Sequence, residues 1–273
     1  MSQSNLEAVA GFYDGNPLYE WNRQDRHPTE FAVTQRVLQE HLPTPPARLL
    51  DIGGGPGRYT IWLAKQGYDI TLLDLSEGNL KVANEKSQEA GVQFAMTQGT
   101  ATNLAQFDDE RFDAALLLGP LYHLKQESER QKAVDEAKRI LKPDGVLFAA
   151  FLNRFTLLRY FAKYEADRLL EQQTAIELLL EDGVLPESAG PAGFGDVSYW
   201  THPAEIEPFM VSCGFQKLDL VNVEGVIDYL EEAIIALEGP TRDAWMTLNH
   251  RLGKLPELHA LAIHLVYVGR KTQ

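Results

Sequence analysis

The stretch "LLDIGGGPGRYT", Leu49 to Thr60, sets an apolar run against four glycines in five positions and then the opening of a helix. Between a strand and a helix, Gly53, Gly55 and Gly57 let the backbone turn sharply and let a ligand approach it closely, beside the positive end of the helix dipole. A nucleotide suits such a loop. A dinucleotide fingerprint carries its third glycine three positions after the second, where the helix packs on the pyrophosphate. Arg58 stands there instead, and the spacing is Gly53-x-Gly55-x-Gly57. Asp51, just before the glycines, would repel a pyrophosphate but can organise the loop around a cationic amino-acid group. The expected ligand is therefore nucleoside-like, and the spacing argues against an NAD-dependent oxidoreductase.

Outward from this loop the chain alternates short apolar runs with amphipathic stretches. "RLLDIG", "DITLLDL", "VQFAM", "FDAALLLG" and "GVLFAAFL" read as five strands, with helices from about 59 to 66, 76 to 90 and 127 to 141. Wholly apolar strands followed by helices require a parallel sheet covered on both faces, so the fold class is α/β, doubly wound. Ser76 is placed to cap the second helix and Gly91 to end it. Residues 153–185 read as one long helical pattern, followed by the Gly- and Pro-rich "PESAGPAGFGDVSYW". That insert follows the carboxyl end of a strand, where it serves either as a substrate cap or as outer padding. Thr201 and Pro203 start another helix. "FQKLDLVNV" and "ALAIHLVYVGRK" add two strands, with an acidic helical segment from about 225 to 252 between them. The expected division is an N-terminal arm (1–46), a cofactor-binding half (47–152), a helical cap (153–200) and a completion of the core sheet (201–273).

A chain of 273 residues, 44% hydrophobic, can bury a sizeable core. Its formal charge of -14, without a run of Lys and Arg, repels phosphate backbones and anionic headgroups, so neither nucleic acid nor membrane is an expected partner. The opening residues lack a signal-peptide pattern and no apolar run approaches a spanning length, which leads to a cytoplasmic expectation. Cys213, in "FMVSCGF", reads as a buried helix end with a structural role.

The second strand ends in "LLDLS", and Asp74 stands 21 positions after Gly53. A carboxylate at that tip can accept hydrogen bonds from both hydroxyls of a ribose. With these residues in hand, "LLDIGGGPG", "LLDLS" and "FDAALLLGPLYHL" together resemble the class I S-adenosylmethionine-dependent methyltransferases, most closely their small-molecule branch. The resemblance covers about 48–152, and "HLVYVGRK" resembles the family's antiparallel last strand. It implies a seven-stranded Rossmann-like sheet, bound S-adenosylmethionine and methyl transfer to a small-molecule acceptor. It further implies that Asp51, Gly53, Gly55 and Gly57 surround the methionine part, that Asp74 holds the ribose and that Leu75 packs on the adenine. Thr100 and Ala101 occupy the place where many members put an acid near the adenine amine, and Leu118, ending the fourth strand, is counted with these cofactor-binding positions.

Family members that methylate planar nitrogens of bases or glutamine carry an amide or carboxylate where Gly119, Pro120, Leu121 and Tyr122 stand here, which counts against such substrates. Tyr122 and His123 are the candidate catalytic pair. His123 supplies a base if the acceptor must lose a proton; the alternative is a helix-start histidine facing solvent or the adenosine. In the N-terminal arm, Tyr13, Tyr19 and Trp21 either close over the cofactor as a lid, with Tyr19 touching it, or simply dock a helix. His202, His250, His259 and His264 fall in separate elements, and no metal site is expected. A non-catalytic S-adenosylmethionine- or nucleoside-binding regulator is the remaining rival.

Overall fold

A computed structural model describes residues 3–185, 198–225, 227 and 231–272. Its centre is a seven-stranded sheet: β1 (Arg48–Ile52), β2 (Asp69–Asp74), β3 (Ala95–Gln98), β4 (Phe112–Leu117), β5 (Leu141–Leu152), β6 (Phe215–Asn222) and β7 (His264–Lys271), in the order 3-2-1-4-5-7-6. The first five strands run parallel, and β7 lies antiparallel between β5 and β6. This is the doubly wound fold expected, with the direction of winding reversing between β1 and β4. Ligands bind at the carboxyl ends of the strands beside such a reversal.

Period-two alternation along each strand sorts side chains to opposite faces. Leu50, Ile52, Ala115, Leu117, Leu147 and Tyr267 pack against α7 (Glu127–Ile140) and α10 (Pro203–Ser212). Leu49, Leu116, Phe148, Val266 and Val268 pack the other way, against α4 (Pro28–His41) and α5 (Arg58–Lys65). On β1 and β2, Asp51 and Asp74 are in phase with Leu49 and Leu72, so both acids fall on the α4–α5 face. Ser76 caps α6 (Glu77–Ala90) by accepting from the Asn79 backbone, and Gly91 ends it in the left-handed region. α10 begins one residue later than expected, capped by His202 in a capping box with Glu205.

The expected single helix over 153–185 is corrected. The segment forms α8 (Thr156–Tyr164) and α9 (Gln173–Asp182), separated by a break at Glu165 and a short 3-10 turn. Leu169 and Leu170, two of the apolar residues that carry that helical pattern, are exposed, Leu170 at 84%. They lie in the break, where the helical phase is lost. Buried Leu157, Phe161, Ala175 and Leu179 form a separate apolar cluster with Leu152 and Trp200 beyond the end of β5. The "GPAGFG" segment lies outside the described residues. The acidic segment after β6 likewise divides, into α11 (Glu231–Ile235) and α12 (Gly239–Gly253). Cys213 is buried at the end of α10, and burial pushes its thiol up to about 11, which leaves it a structural residue. Among the described residues, no helix is long and apolar enough to cross a membrane.

Candidate active site

The glycine loop leaves β1 as the opening sequence demands. Gly53 has φ +68, and a Cβ there would meet Pro120 at 2.5 Å, so only glycine fits between the first and fourth strand ends. Gly57, with φ +84, makes the turn into α5. The loop is fastened to β2 by the Gly53 and Gly54 amides, which donate to the Leu73 carbonyl at 2.7 and 3.2 Å.

The two acids differ in what holds them. Asp74 accepts from the Gly55 amide at 2.8 Å, the Ser76 amide at 2.9 Å and the Asn79 side-chain amide at 3.2 Å. Burial still raises its carboxyl above the usual range, against those hydrogen bonds. Asp51 has the Thr60 hydroxyl at 2.6 Å and, among the described residues, no cation beside it, and burial pushes it up to about 7. A buried carboxylate with no counter-charge is suited to a ligand that brings one. Two further buried acceptors on the same wall, Gln24 Oε1 and Asn79 Oδ1, have no hydrogen-bond donor among the described residues. A ligand with an ammonium or sulfonium charge and several hydroxyl and amino donors satisfies all of these groups, and S-adenosylmethionine is such a ligand.

One cavity gathers Asp51, Gly53, Gly55, Asp74, Leu75, Thr100, Ala101, Leu118, Tyr122 and His123 around this loop. Gly57 stands behind it at the helix start. The N-terminal arm closes its outer side. It consists of α1 (Gln3–Asp14), α2 (Pro17–Trp21), α3 (Arg23–Arg26) and α4. Tyr13 meets His123 Nε2 through its hydroxyl at 2.7 Å, and Asp14 accepts from the Ser76 hydroxyl and, at 3.1 Å, from the Gly78 amide. Arg58 pairs with Asp25 at 2.6 Å and stacks over Trp21, so the residue that breaks the dinucleotide spacing anchors the arm. Tyr19 does not line this cavity. It is 63% exposed beneath the Arg26 guanidinium and borders a second, outer cavity.

That outer cavity, of about 530 Å³, is walled by Phe12, Tyr19, Leu152, Leu157, Tyr160, Trp200 and Ile263. Tyr13, Glu20, Arg23, Glu30, Tyr122 and His264 border both cavities. Sequence reading missed Arg23, Glu30 and Glu224, and it left His264 isolated. In the fold, His264 Nδ1 lies 2.5 Å from Glu224 and 4.0 Å from Glu30, while Arg23 bonds Glu30 at 2.8 Å. The carboxylate oxygens of Glu30 and Glu224 and a ring nitrogen of His264 all lie within 4.8 Å of one another, so His264 is grouped with two acids although the four histidines fall in separate elements. Arg23 holds the Glu30 carboxyl well below its usual range. Some signal was present in sequence. Glu30 is in helical phase with Val33, Thr34, Val37 and Leu38, and His264 is in strand phase with Val266 and Val268, so each is a charged or polar residue on a buried face.

Residues 50–149 match the methyltransferase domain family. The chain is 30% identical over 205 residues to the ubiquinone biosynthesis O-methyltransferase of Azorhizobium caulinodans, covering 72% of this chain and 73% of that protein. The protein of the same description from Alkalilimnicola ehrlichii is 35% identical over 124 residues, which is 45% of this chain and about half, 49%, of the relative. The fold is similar to that of the Burkholderia thailandensis 1,6-didemethyltoxoflavin-N1-methyltransferase, crystallised with 1,6-didemethyltoxoflavin and S-adenosylhomocysteine. The TM-score is 0.59 at 16% identity, over 97% of this chain and 88% of that one. With its glycine loop, its paired acids and its strand order, the chain belongs to the class I S-adenosylmethionine-dependent methyltransferases and takes S-adenosylmethionine as its cofactor.

Proposed function

We propose that this enzyme methylates a small, largely apolar molecule held in the outer cavity. The observation that carries the reading is the wall common to both cavities, with Tyr13, Tyr122 and His264 on it. A donor beside the glycine loop and an acceptor among Leu157, Tyr160 and Trp200 meet at that wall. The outer cavity falls in the range that small ligands fill, roughly 300–1,000 Å³. Its aromatic and aliphatic side suits the apolar body of a flat or branched acceptor, Asn16, Arg26, His27 and Thr156 on the same cavity suit polar substituents, and the names of the relatives support oxygen as the accepting atom. The acidic surface and the lack of an amide or carboxylate at Gly119–Tyr122 support a free small molecule over a nucleic-acid base.

In this reading Asp51 holds the cationic methionine part, Asp74 the ribose, and Leu75, Thr100, Ala101 and Leu118 the adenosine. S-adenosylmethionine supplies the electrophilic methyl group. Tyr122 borders both sites and aligns donor and acceptor, while His123, which lines the glycine cavity alone and meets Tyr13, positions the arm over the cofactor. Incubation with methyl-labelled S-adenosylmethionine and fractionated metabolites, followed by mass identification of the labelled product, tests the proposal. The expected result is label in a small apolar compound. Label in protein or nucleic acid, or in no fraction although cofactor binds, overturns it.

A further inference from the structure

We propose that His264, oriented by Glu224, is the general base of the reaction and that its substrate class is therefore an acceptor bearing a hydroxyl that is protonated at neutral pH. The inference rests on the small-acceptor reading above. Among the described histidines that line a cavity, His264 alone borders both: His123 lines only the inner one and His27 only the outer. A base for methyl transfer has to reach the acceptor atom where donor and acceptor meet, and that place is the shared wall.

The ring is held in one tautomer. Glu224 accepts from the His264 backbone amide at 2.8 Å and approaches Nδ1 at 2.5 Å, so a single carboxylate fixes both the main chain and the imidazole. On the other edge Nε2 faces the Arg23 guanidinium at 3.5 Å. A guanidinium has only donors, so the neutral ring carries its proton on Nδ1, toward Glu224, and a lone pair on Nε2. Arg23 is itself committed to Glu30 at 2.8 Å and leaves Glu224 to the histidine. A carboxylate behind a histidine stabilises the imidazolium that forms when Nε2 takes a proton.

The charged and titratable groups facing His264 are Glu224, Glu30, Arg23 and Tyr122, the last with its ring centroid 5.9 Å away. The two carboxylates outweigh burial and Arg23, which raises the imidazole above 6.5 and makes it a stronger base. In the transfer the acceptor hydroxyl takes the place of the long Arg23 contact at Nε2, the O–H bond breaks and its proton goes to Nε2. The oxygen pair forms the new O–CH₃ bond, and the pair of the broken C–S bond stays on sulfur. Sulfonium and alcohol become thioether, ether and imidazolium, and the imidazolium then releases its proton to water through the outer cavity.

A matched pair of probes separates this role from structural ones: 4-methylphenol, protonated at neutral pH, and 4-methylthiophenol, largely thiolate at pH 8. With saturating cofactor, His264→Gln is expected to lower kcat for the phenol by at least about 100-fold, within the usual 10²–10⁴ for general bases, and for the thiol by less than about fivefold. The wild-type phenol rate should rise with pH through a midpoint above 6.5. Glu224→Gln should lower that midpoint, and Glu224→Asp should restore it in part. Nitrogen-15 NMR of the resting protein, at a pH above that midpoint, should show a neutral ring protonated at Nδ1, a readout that needs no turnover and reports a misfolded variant at once. Equal losses with both probes, a neutral ring protonated at Nε2, or activity lost on chelation and restored by a divalent cation overturn the base. Transfer to the thiol alone in the wild type overturns the hydroxyl class and leaves the small-acceptor reading standing. Transfer to neither probe, with cofactor bound and a labelled macromolecule found instead, overturns both.

Discussion

Asp51 shows how one side chain couples stability to function. Its folded carboxyl is raised from 3.8 to about 7 by burial. In the cofactor-free protein the unfolded chain therefore loses this proton first, and stability falls as pH rises from about 4 to 7, by at most about 4 kcal/mol on linkage arithmetic. Above 7 the penalty is constant. Asp51→Asn keeps a hydrogen bond to Thr60 and removes the buried charge. It is expected to raise the melting temperature of the free protein at pH 8, to leave it nearly unchanged at pH 4, and to weaken S-adenosylmethionine binding. Wild-type affinity should fall about tenfold per pH unit below 7, because binding a cation there expels a proton. Melting curves and calorimetry across this range decide it, and a variant effect independent of pH rules the assignment out. For Asp74, loss of the carboxylate leaves three protein donors unpaired and, in the proposed assignment, the ribose hydroxyls as well. Asp74→Ala should weaken cofactor binding by about 1–3 kcal/mol, and calorimetry should also show no tight binding of NAD.

Within the N-terminal arm, α1 to α3 dock largely through polar contacts, in contrast to α4. They rest on the Tyr13–His123 contact, the Asp14 acceptor over α6 and the Arg58–Asp25 pair, with few buried apolar side chains in α2 and α3. Elements held by few apolar contacts open at low free energy. Tyr13→Phe removes one hydrogen bond, worth about 0.5–1.5 kcal/mol, and should speed amide exchange in α1 while leaving β1 and β4 protected. Cofactor affinity should drop by up to about tenfold, and His123→Ala should do the same. If His123→Ala instead abolishes turnover with affinity intact, the histidine acts on the acceptor and not through the arm.

Across the molecule, the helical insert has its own apolar cluster, and that separation has a consequence. Trp200, 1% exposed, packs with Leu157, Phe161 and Leu179 and donates its amide to the Gly183 carbonyl at 2.8 Å. Removing a buried indole costs about 3–5 kcal/mol. Because little of the sheet core depends on it, Trp200→Ala should loosen α8 and α9 first. Proteolysis should then cut within 156–182 while the sheet stays folded, and acceptor turnover should fall more than cofactor affinity. A single cooperative unfolding transition of the whole chain would show instead that insert and sheet share one core.

The seven strand segments along the chain, the glycine turn and the positions of Asp51 and Asp74 were legible in sequence because each is a local pattern. Apolar runs of strand length, a cap at Ser76 and glycines at forced positive φ act over a few residues and leave a periodic trace. The helical insert was misread because Leu169 and Leu170 continue an apolar rhythm through a break that only their exposure reveals. The wall between the cavities was not legible. Arg23, Glu30 and His264 come from α3, α4 and β7 and Glu224 from the turn after β6, spread over more than 240 positions, and no spacing rule links them. Buried phase sets Glu30 and His264 apart in retrospect, but their pairing depends on α4 packing on the sheet face that carries Val266 and Val268, which long-range packing alone determines. Local physical chemistry thus fixed the glycine loop and its two acids, and the tertiary structure decided which titratable groups meet at the wall between the two cavities.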